Sequence, residues 1–368
     1  MTIHNGNKII FMRFSKNICI AILLSLLNKQ NVQAQITYPN VVQDEVIEIS
    51  GIITDAQIYP LNYQQKITTR KFFDGLGRLI QSSDVQASPS QKDIISYNSF
   101  NNLGQQLFSY LPYVGNDGSG SFHSTAASDQ ASFYQNGVAD KVVDDIKPWS
   151  QSVIELSPLE RELSSGMNGD GFQTNQHYKS INYRSNNSSV YSNDNDNGGI
   201  RLWNYDGTST GYFPTGSLLV TELTDESNNV TVFYKDINGR LILTRKIISP
   251  QIIDGVSENC LDTYNIYDDA NNLLYVIPPK AVVAIRQANL SPWNVSLAAA
   301  SLFTYSMVYD SMGRLTQKKV PGSDWIYIVY DPMNRPVLLQ DGNLRSSNNG
   351  KWLYFKYDSK GRGEMALG

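Results

Sequence analysis

Short apolar and aromatic runs recur along the second half of the chain, and each stops at a polar turn. Val308-Tyr309, Ile328-Val329-Tyr330 and Phe355-Lys356-Tyr357 lead into such turns, and Leu315-Thr316-Gln317 and Pro336-Val337-Leu338 lead out of them. Short runs rich in aromatic and β-branched residues and bounded by turn formers predict strands. The turns read Asp-x-x-Gly-Arg or a variant of it. Asp favours the first position of a type I turn, and a type I turn followed by a left-handed residue closes the common three-residue hairpin loop. The fourth position must then tolerate positive φ, which Gly does freely and Asn better than most residues. Seven stretches meet the requirement: Asp74 with Gly77, Asn101 with Gly104, Asp236 with Gly239, Asp268 with Asn271, Asp310 with Gly313, Asp331 with Asn334, and Asp358 with Gly361. Where Tyr precedes the turn and Arg follows it, the two are expected to stack across the same hairpin, worth about 0.5–1 kcal/mol where exposed.

The spacing between left-handed positions is irregular. An interval of 42 residues between Asn271 and Gly313 holds the most helix-like stretches, Lys280 to Gln287 and Val295 to Phe303, with Pro278-Pro279 and Ser291-Pro292 as start signals. The pattern therefore predicts a mainly β fold: antiparallel hairpin repeats forming a curved, shell-like sheet, with a short helical insertion near 280–303. A second interval, 135 residues from Gly104 to Gly239, sets an N-terminal pair of units apart from the main array. Inside it, residues 164–200 are rich in Ser, Asn, Asp and Gly and read as a loop or linker. The stretches Ser217 to Leu223 and Val230 to Tyr234 read as strands. The expected organisation is residues 1–34 as an export signal, 35–165 as an N-terminal domain, 166–216 as a polar linker and 217–368 as the repeat array.

The export reading rests on Arg13 and Lys16 before the apolar run Ile18 to Leu27, followed by Val32-Gln33-Ala34, with cleavage after Ala34. That run is too short to cross a bilayer, so no transmembrane span is expected once the signal is gone. Its removal takes away four cations and no acid, moving the net charge from −4 to −8. A chain this acidic disfavours nucleic acid as a partner. Cys19 would leave with the signal, so Cys260 would be the single thiol, without an internal disulfide, and reads as a buried filler.

The C-terminal part resembles the YD-repeat (RHS) proteins. Leu219-Val220-Thr221-Glu222, Tyr267-Asp268 with Val276-Ile277-Pro278-Pro279, Arg314-Leu315 with Lys318-Lys319-Val320-Pro321-Gly322, and Val329-Tyr330-Asp331 with Gln340-Asp341-Gly342-Asn343 carry the likeness. The earlier part resembles the N-terminal domain of unknown function that precedes such repeats in bacterial exported proteins. There the matching runs are Phe72 to Arg78, Ala87 to Asp93, Tyr110 to Tyr113 and Ser157 to Arg161. Together the resemblance spans roughly residues 60–362. It implies a hairpin wall of β-sheet that encloses a C-terminal cargo or projects from the cell surface. The array is expected to be truncated at Gly368, its partner being the missing repeats or a cargo domain of the same or a neighbouring chain. No effector or self-cleavage residues of long relatives find a counterpart here.

Little in the chain suggests chemistry. Without the signal only His123 and His177 remain; a Ser/His/Asp set could be drawn from His123, Ser124 and Asp129, but no nucleophile signature supports it. Metal sites built from His and Cys are disfavoured by the count. Asn193, Asn195 and Asn197 before Gly198 copy the start of a calcium loop, yet Asn204 stands where a bidentate Glu belongs. The role of the Asn193–Gly199 loop stays open. The turn aspartates read as local caps, and Trp149, Trp203, Trp293, Trp325 and Trp352 as cross-strand partners. No catalytic, cofactor or metal site is expected. The expected function is a non-enzymatic exported scaffold; the alternative is an extracellular module binding a glycan or a cell-surface protein through aromatic hairpin surfaces.

Overall fold

The computed structural model describes residues 2–5, 8–14, 39–135, 144–186, 199–346 and 350–367, with 2–14 and 364–367 described by their backbone. The apolar run Ile18 to Leu27, the cleavage position and the Asn193 to Gly198 loop lie outside the described residues. The chain divides into two compact units, residues 1–179 and 180–368.

The first unit contains strands β1 (Thr2–Asn5), β2 (Lys8–Phe14), β3 (Asn40–Ile47), β4 (Lys66–Phe73), β5 (Leu79–Asp84), β6 (Ile94–Tyr97), β7 (Phe108–Tyr110), β8 (Tyr113–Val114), β9 (Trp149–Ile154) and β10 (Glu162–Gly166), with helices α1 (Asp55–Ile58) and α2 (Ala126–Gln135). β1 to β6 follow one another in an antiparallel sheet that β8 completes. β7 pairs with β9 and β9 with β10, antiparallel and outside that seven-stranded sheet. The apolar centre is small: Ile95, Tyr113 and Ala126 are buried, with Phe133 and Tyr134 of α2 packed on them. Polar side chains do much of the joining. Gln81, on the inner face of β5, donates to the His123 carbonyl at 3.2 Å and accepts from the His123 N–H at 2.8 Å.

The second unit holds β11 (Lys179–Ser185, apart from its first residue), the two-residue strands β12 (Arg201–Leu202), β13 (Thr208–Ser209) and β14 (Gly211–Tyr212), then β15 (Leu219–Thr224), β16 (Val230–Lys235), β17 (Leu241–Ile253), β18 (Val256–Tyr267) and β19 (Leu273–Ile277). Helix α3 (Pro279–Ala288), the short strand β20 (Trp293–Asn294) and α4 (Ala298–Ser301) follow. The chain then forms β21 (Tyr305–Tyr309), β22 (Leu315–Lys319), β23 (Ile326–Tyr330), β24 (Pro336–Gln340), α5 (Gly342–Ser346), β25 (Leu353–Tyr357) and β26 (Gly363–Leu367). From β15 to β26 the long strands neighbour one another in chain order, all antiparallel, and β11 flanks β15. The fold is mainly β, with the expected helical insertion and no closed barrel among the described residues. No described helix is long and apolar enough to cross a membrane.

Two features differ from the reading of the sequence. The stretch 166–216, expected as polar linker, contains β11, paired with β15 over Ser180 to Ser185. Its strand was hidden because Lys179 to Ser185 (KSINYRS) has only two apolar or aromatic positions, and sheet pairing, not residue preference, decides its state. Asn204, weighed as the end of a calcium loop, opens a turn in which Gly207 has φ +82° and the Asn204 amide donates to the Thr208 hydroxyl at 3.1 Å.

The core of the second unit lies under the first hairpins and the helical insertion. Val220, Val232, Leu243, Tyr264 and Ile277 from the sheet meet Ala281, Val282 and Ile285 of α3, with Trp293 and Val295 beyond. α3 starts where Pro279 occupies its first position, a residue whose missing N–H costs nothing there, and stops at Asn289, which is left-handed at φ +48°. β18 alternates strictly, and its buried face carries Glu258, Cys260, Asp262, Tyr264 and Ile266. The two acids on that face are paired, Asp262 with Arg245 and Glu258 with Arg286. From β21 onward no apolar side chain of the described residues is fully buried.

Candidate functional site

The recurring turn is closed the same way each time. In the Asp310 hairpin the Gly313 N–H donates to the Asp310 carbonyl at 2.9 Å, and the Asp310 N–H to the Arg314 carbonyl at 2.9 Å. One Asp310 carboxylate oxygen accepts from the Met312 and Arg314 amides, each at 2.9 Å, and the other from Arg314 Nε at 2.7 Å. Asp74, Asp236, Asp331 and Asp358 hold the equivalent Arg78, Arg240, Arg335 and Arg362 in this way. The fourth positions all have positive φ: Gly77 +78°, Gly104 +81°, Gly239 +81°, Asn271 +68°, Gly313 +73°, Asn334 +61° and Gly361 +76°. Asn101 and Asp268 open turns closed by Gln105 and Asn272 in place of Arg. The amide of Arg314 is the first cause holding the Asp310 carboxyl below the usual carboxylate range, ahead of its guanidinium; Asp74, Asp331 and Asp358 follow suit.

A further hairpin of this kind escaped the sequence reading. Asp225 accepts from the Ser227 and Asn229 amides, and Asn228 has φ +63°. The signal was Asp225-x-x-Asn228, the same frame, but with neither an aromatic residue before it nor Arg after it.

The stacking runs between hairpins, which corrects the expectation that Tyr and Arg stack across one turn. Arg78 lies over Phe100 with its guanidinium carbon 4.5 Å from the ring centre, Arg240 over Tyr267 at 5.6 Å, Arg314 over Tyr330 at 5.2 Å and Arg335 over Tyr357 at 4.6 Å. In each case the ring precedes the next turn. The reason is geometric. The aspartate fixes the guanidinium edge at the turn, so its flat face meets the neighbouring strand's end. The tyrosine hydroxyls return a bond to the backbone just past that arginine: Tyr267 to the Leu241 carbonyl at 3.2 Å, Tyr330 to Leu315 at 3.0 Å and Tyr357 to Pro336 at 2.7 Å. At the Arg240, Arg314 and Arg335 junctions one hairpin thus grips the next by a ring, a cation and a hydrogen bond.

The remaining candidates are dispersed. Asp129 accepts the Thr125 hydroxyl at 2.7 Å, and among the described residues no hydrogen bond joins it to His123 or Ser124. The His123 ring lies instead with Asp93 and Asp117, one ligand atom of each within 4.8 Å of the others. That nitrogen-and-carboxylate set is of a kind a divalent cation takes, and the count of His and Cys missed it because two members are acids. Asp93 is nonetheless accounted for by structure, its oxygens accepting the Gln86 amide at 2.9 Å and the Gly120 amide at 2.6 Å. His177 packs on Phe172. Burial pushes the Cys260 thiol up to about 12, the reverse of what a thiolate nucleophile needs. Trp293 is buried, and Trp203 packs against it and Tyr264.

Taken together these features define an antiparallel hairpin array locked side to side by aspartate-held arginines. Residues 45–185 match the family defined as a domain of unknown function, DUF6443. No curated protein matches the chain. Among solved structures, the crystal structure of TcdB2-TccC3-TEV is similar with a TM-score of 0.53 at 16% identity, over 94% of this chain and 14% of that one. The crystal structure of TcdB2-TccC3 gives 0.53 at 15% identity, over 90% and 14%. A Photorhabdus luminescens Tc holotoxin pore with a TccC3 variant gives 0.52 at 14% identity, over 89% and 13%. At these identities the likeness is one of fold, and the chain spans about 14% of the length of the first two structures it matches.

Proposed function

We propose that the chain is part of an exported, non-enzymatic scaffold of the YD-repeat (RHS) type, a β wall that grows by adding hairpins. The observation that carries this reading is the interlocking of successive units through Arg240–Tyr267, Arg314–Tyr330 and Arg335–Tyr357. Such an array has its stability in nearest-neighbour contacts, as repeat proteins do. The DUF6443 match before the array and the fold shared with TccC3-containing toxin structures support a shell role, with further repeats or a cargo domain as partner. Export by cleavage after Ala34 belongs to the same proposal, and fusing residues 1–40 to a periplasmic reporter tests it separately.

The interlock is tested by hydrogen exchange on the full chain. Arg335→Ala should speed exchange of the β25 amides, Leu353 to Tyr357, while leaving β15 to β17 unchanged. Unchanged protection of β25 would overturn the nearest-neighbour mechanism and with it the scaffold reading.

A further inference from the structure

The junction between the Asp268 and Asp310 hairpins lacks its arginine. Asn272 stands where Arg78, Arg240, Arg314 and Arg335 stand in the filled junctions, and its amide reaches no farther than Asp268, donating at 2.9 Å. The ring that should receive a guanidinium there is Tyr309, which ends β21 before the next turn. Among the described residues no cation lies over Tyr309, and its hydroxyl makes none of the backbone bonds that Tyr267, Tyr330 and Tyr357 make. The space is open. A cleft of about 500 Å³ lies between the two hairpins, lined by Asp268, Asn272, Leu274, Tyr309, Asp310 and Gly313 among others.

The charge of the cleft is also unusual. Asp74, Asp236, Asp310, Asp331 and Asp358 each pair with the arginine of their own hairpin. Asp268 has the neutral Asn272 in that place, so no cation of its own hairpin pairs with its carboxylate; Arg240 of the preceding hairpin donates to the Asp268 carbonyl at 3.4 Å and acts on the carboxylate only through its charge. That charge is felt at the ring: the Tyr309 phenol is raised by burial first and by Asp268 next. Aromatic face, carboxylate and apolar wall therefore meet in the arrangement that holds a guanidinium at the four sister junctions.

We propose that the cleft between the Asp268 and Asp310 hairpins is a binding site for an arginine side chain presented by another polypeptide. Its guanidinium stacks on Tyr309 and donates to Asp268, and its methylene stem runs along Leu274. The proposal concerns recognition at one junction and does not depend on the scaffold reading.

The test is calorimetric titration of the full chain with arginine amide, lysine amide and norleucine amide. Arginine amide should bind saturably at one site, and lysine amide at least fivefold more weakly. Asn272→Arg should place the protein's own guanidinium in the cleft, abolish binding and raise the thermal midpoint. Asp268→Asn preserves a turn of the kind that Asn101 already closes and should weaken binding at least tenfold. Absence of saturable arginine binding, equal binding of norleucine amide, or undiminished binding to the Asn272→Arg protein would each overturn the proposal. Because Asn272→Arg is expected to stabilise the fold, its result does not hinge on a damaged protein.

Discussion

Arg245 and Asp262 face each other across β17 and β18, in register, with side chains 0% and 1% exposed. Arg245 Nε donates to one Asp262 oxygen and Nη2 to the other, both at 2.7 Å, the planar two-bond match that arginine makes with carboxylate. Burial opposes the guanidinium charge, and the facing carboxylate more than offsets it, so Arg245 stays protonated. Removing one member leaves the other as an uncompensated charge in the core, at a cost of about 3–5 kcal/mol. Replacing both by apolar residues of similar volume removes both desolvation penalties and is expected to change stability by less than about 2 kcal/mol. For a cooperative unit of this size, each kcal/mol moves the thermal midpoint by roughly 2–4 °C. Arg245→Met or Asp262→Leu alone should therefore lower the midpoint by about 6–20 °C, and the double variant should recover most of that loss. Urea unfolding followed by tryptophan fluorescence reads the change, because Trp203 and Trp293 sit in the same core. Single variants costing under about 1 kcal/mol, or a double variant as unstable as the sum of the two, would refute the reasoning.

The interlock makes a graded prediction at Tyr330. Tyr330→Phe keeps the ring under Arg314 and loses the bond to the Leu315 carbonyl, about 0.5–1.5 kcal/mol in urea unfolding, and Tyr330→Leu should lose about 0.5–1 kcal/mol more with the cation–π contact. At Asn334, φ +61° makes Asn334→Val destabilising by about 1–2 kcal/mol, whereas Asn334→Gly should be neutral or slightly stabilising in the same assay. Acid should loosen the turns. The carboxyls of Asp74, Asp310, Asp331 and Asp358 lie lower folded than unfolded, so their contribution is complete above the unfolded value near ~3.9 and disappears as pH falls through the folded values. Glu155, held at about 2 first by the Arg161 side chain, acts in the same direction from its usual value of 4.5 downward. Thermal midpoints should be flat from about pH 7 to 5 and fall below about pH 4, and Asp310→Asn should show a smaller fall than the parent chain.

What could be read along the chain was whatever the backbone demands locally. A turn that requires positive φ at its fourth residue admits few residue types, so Gly313 and Asn334 expose the same geometry through different letters. The same local logic marks α3, with Pro279 at its start and Asn289 past its end. Positions whose state is decided by neighbours were not legible. β11 is a strand because β15 pairs with it, and its own residues have little preference. The acids and bases of β17 and β18 look like surface residues until alternation places Asp262 opposite Arg245, both side chains out of solvent. The stacking was misread for the same reason: Tyr309 and Arg314 are close in sequence, but Arg314 is tied by its own aspartate and turns its face to Tyr330. Once that direction is known, the sequence becomes more informative than it first was. The arginine after each turn should be read with the aromatic residue before the next, and the pair that fails the rule, Asn272 with Tyr309, falls where the helical insertion interrupts the array and the cleft opens.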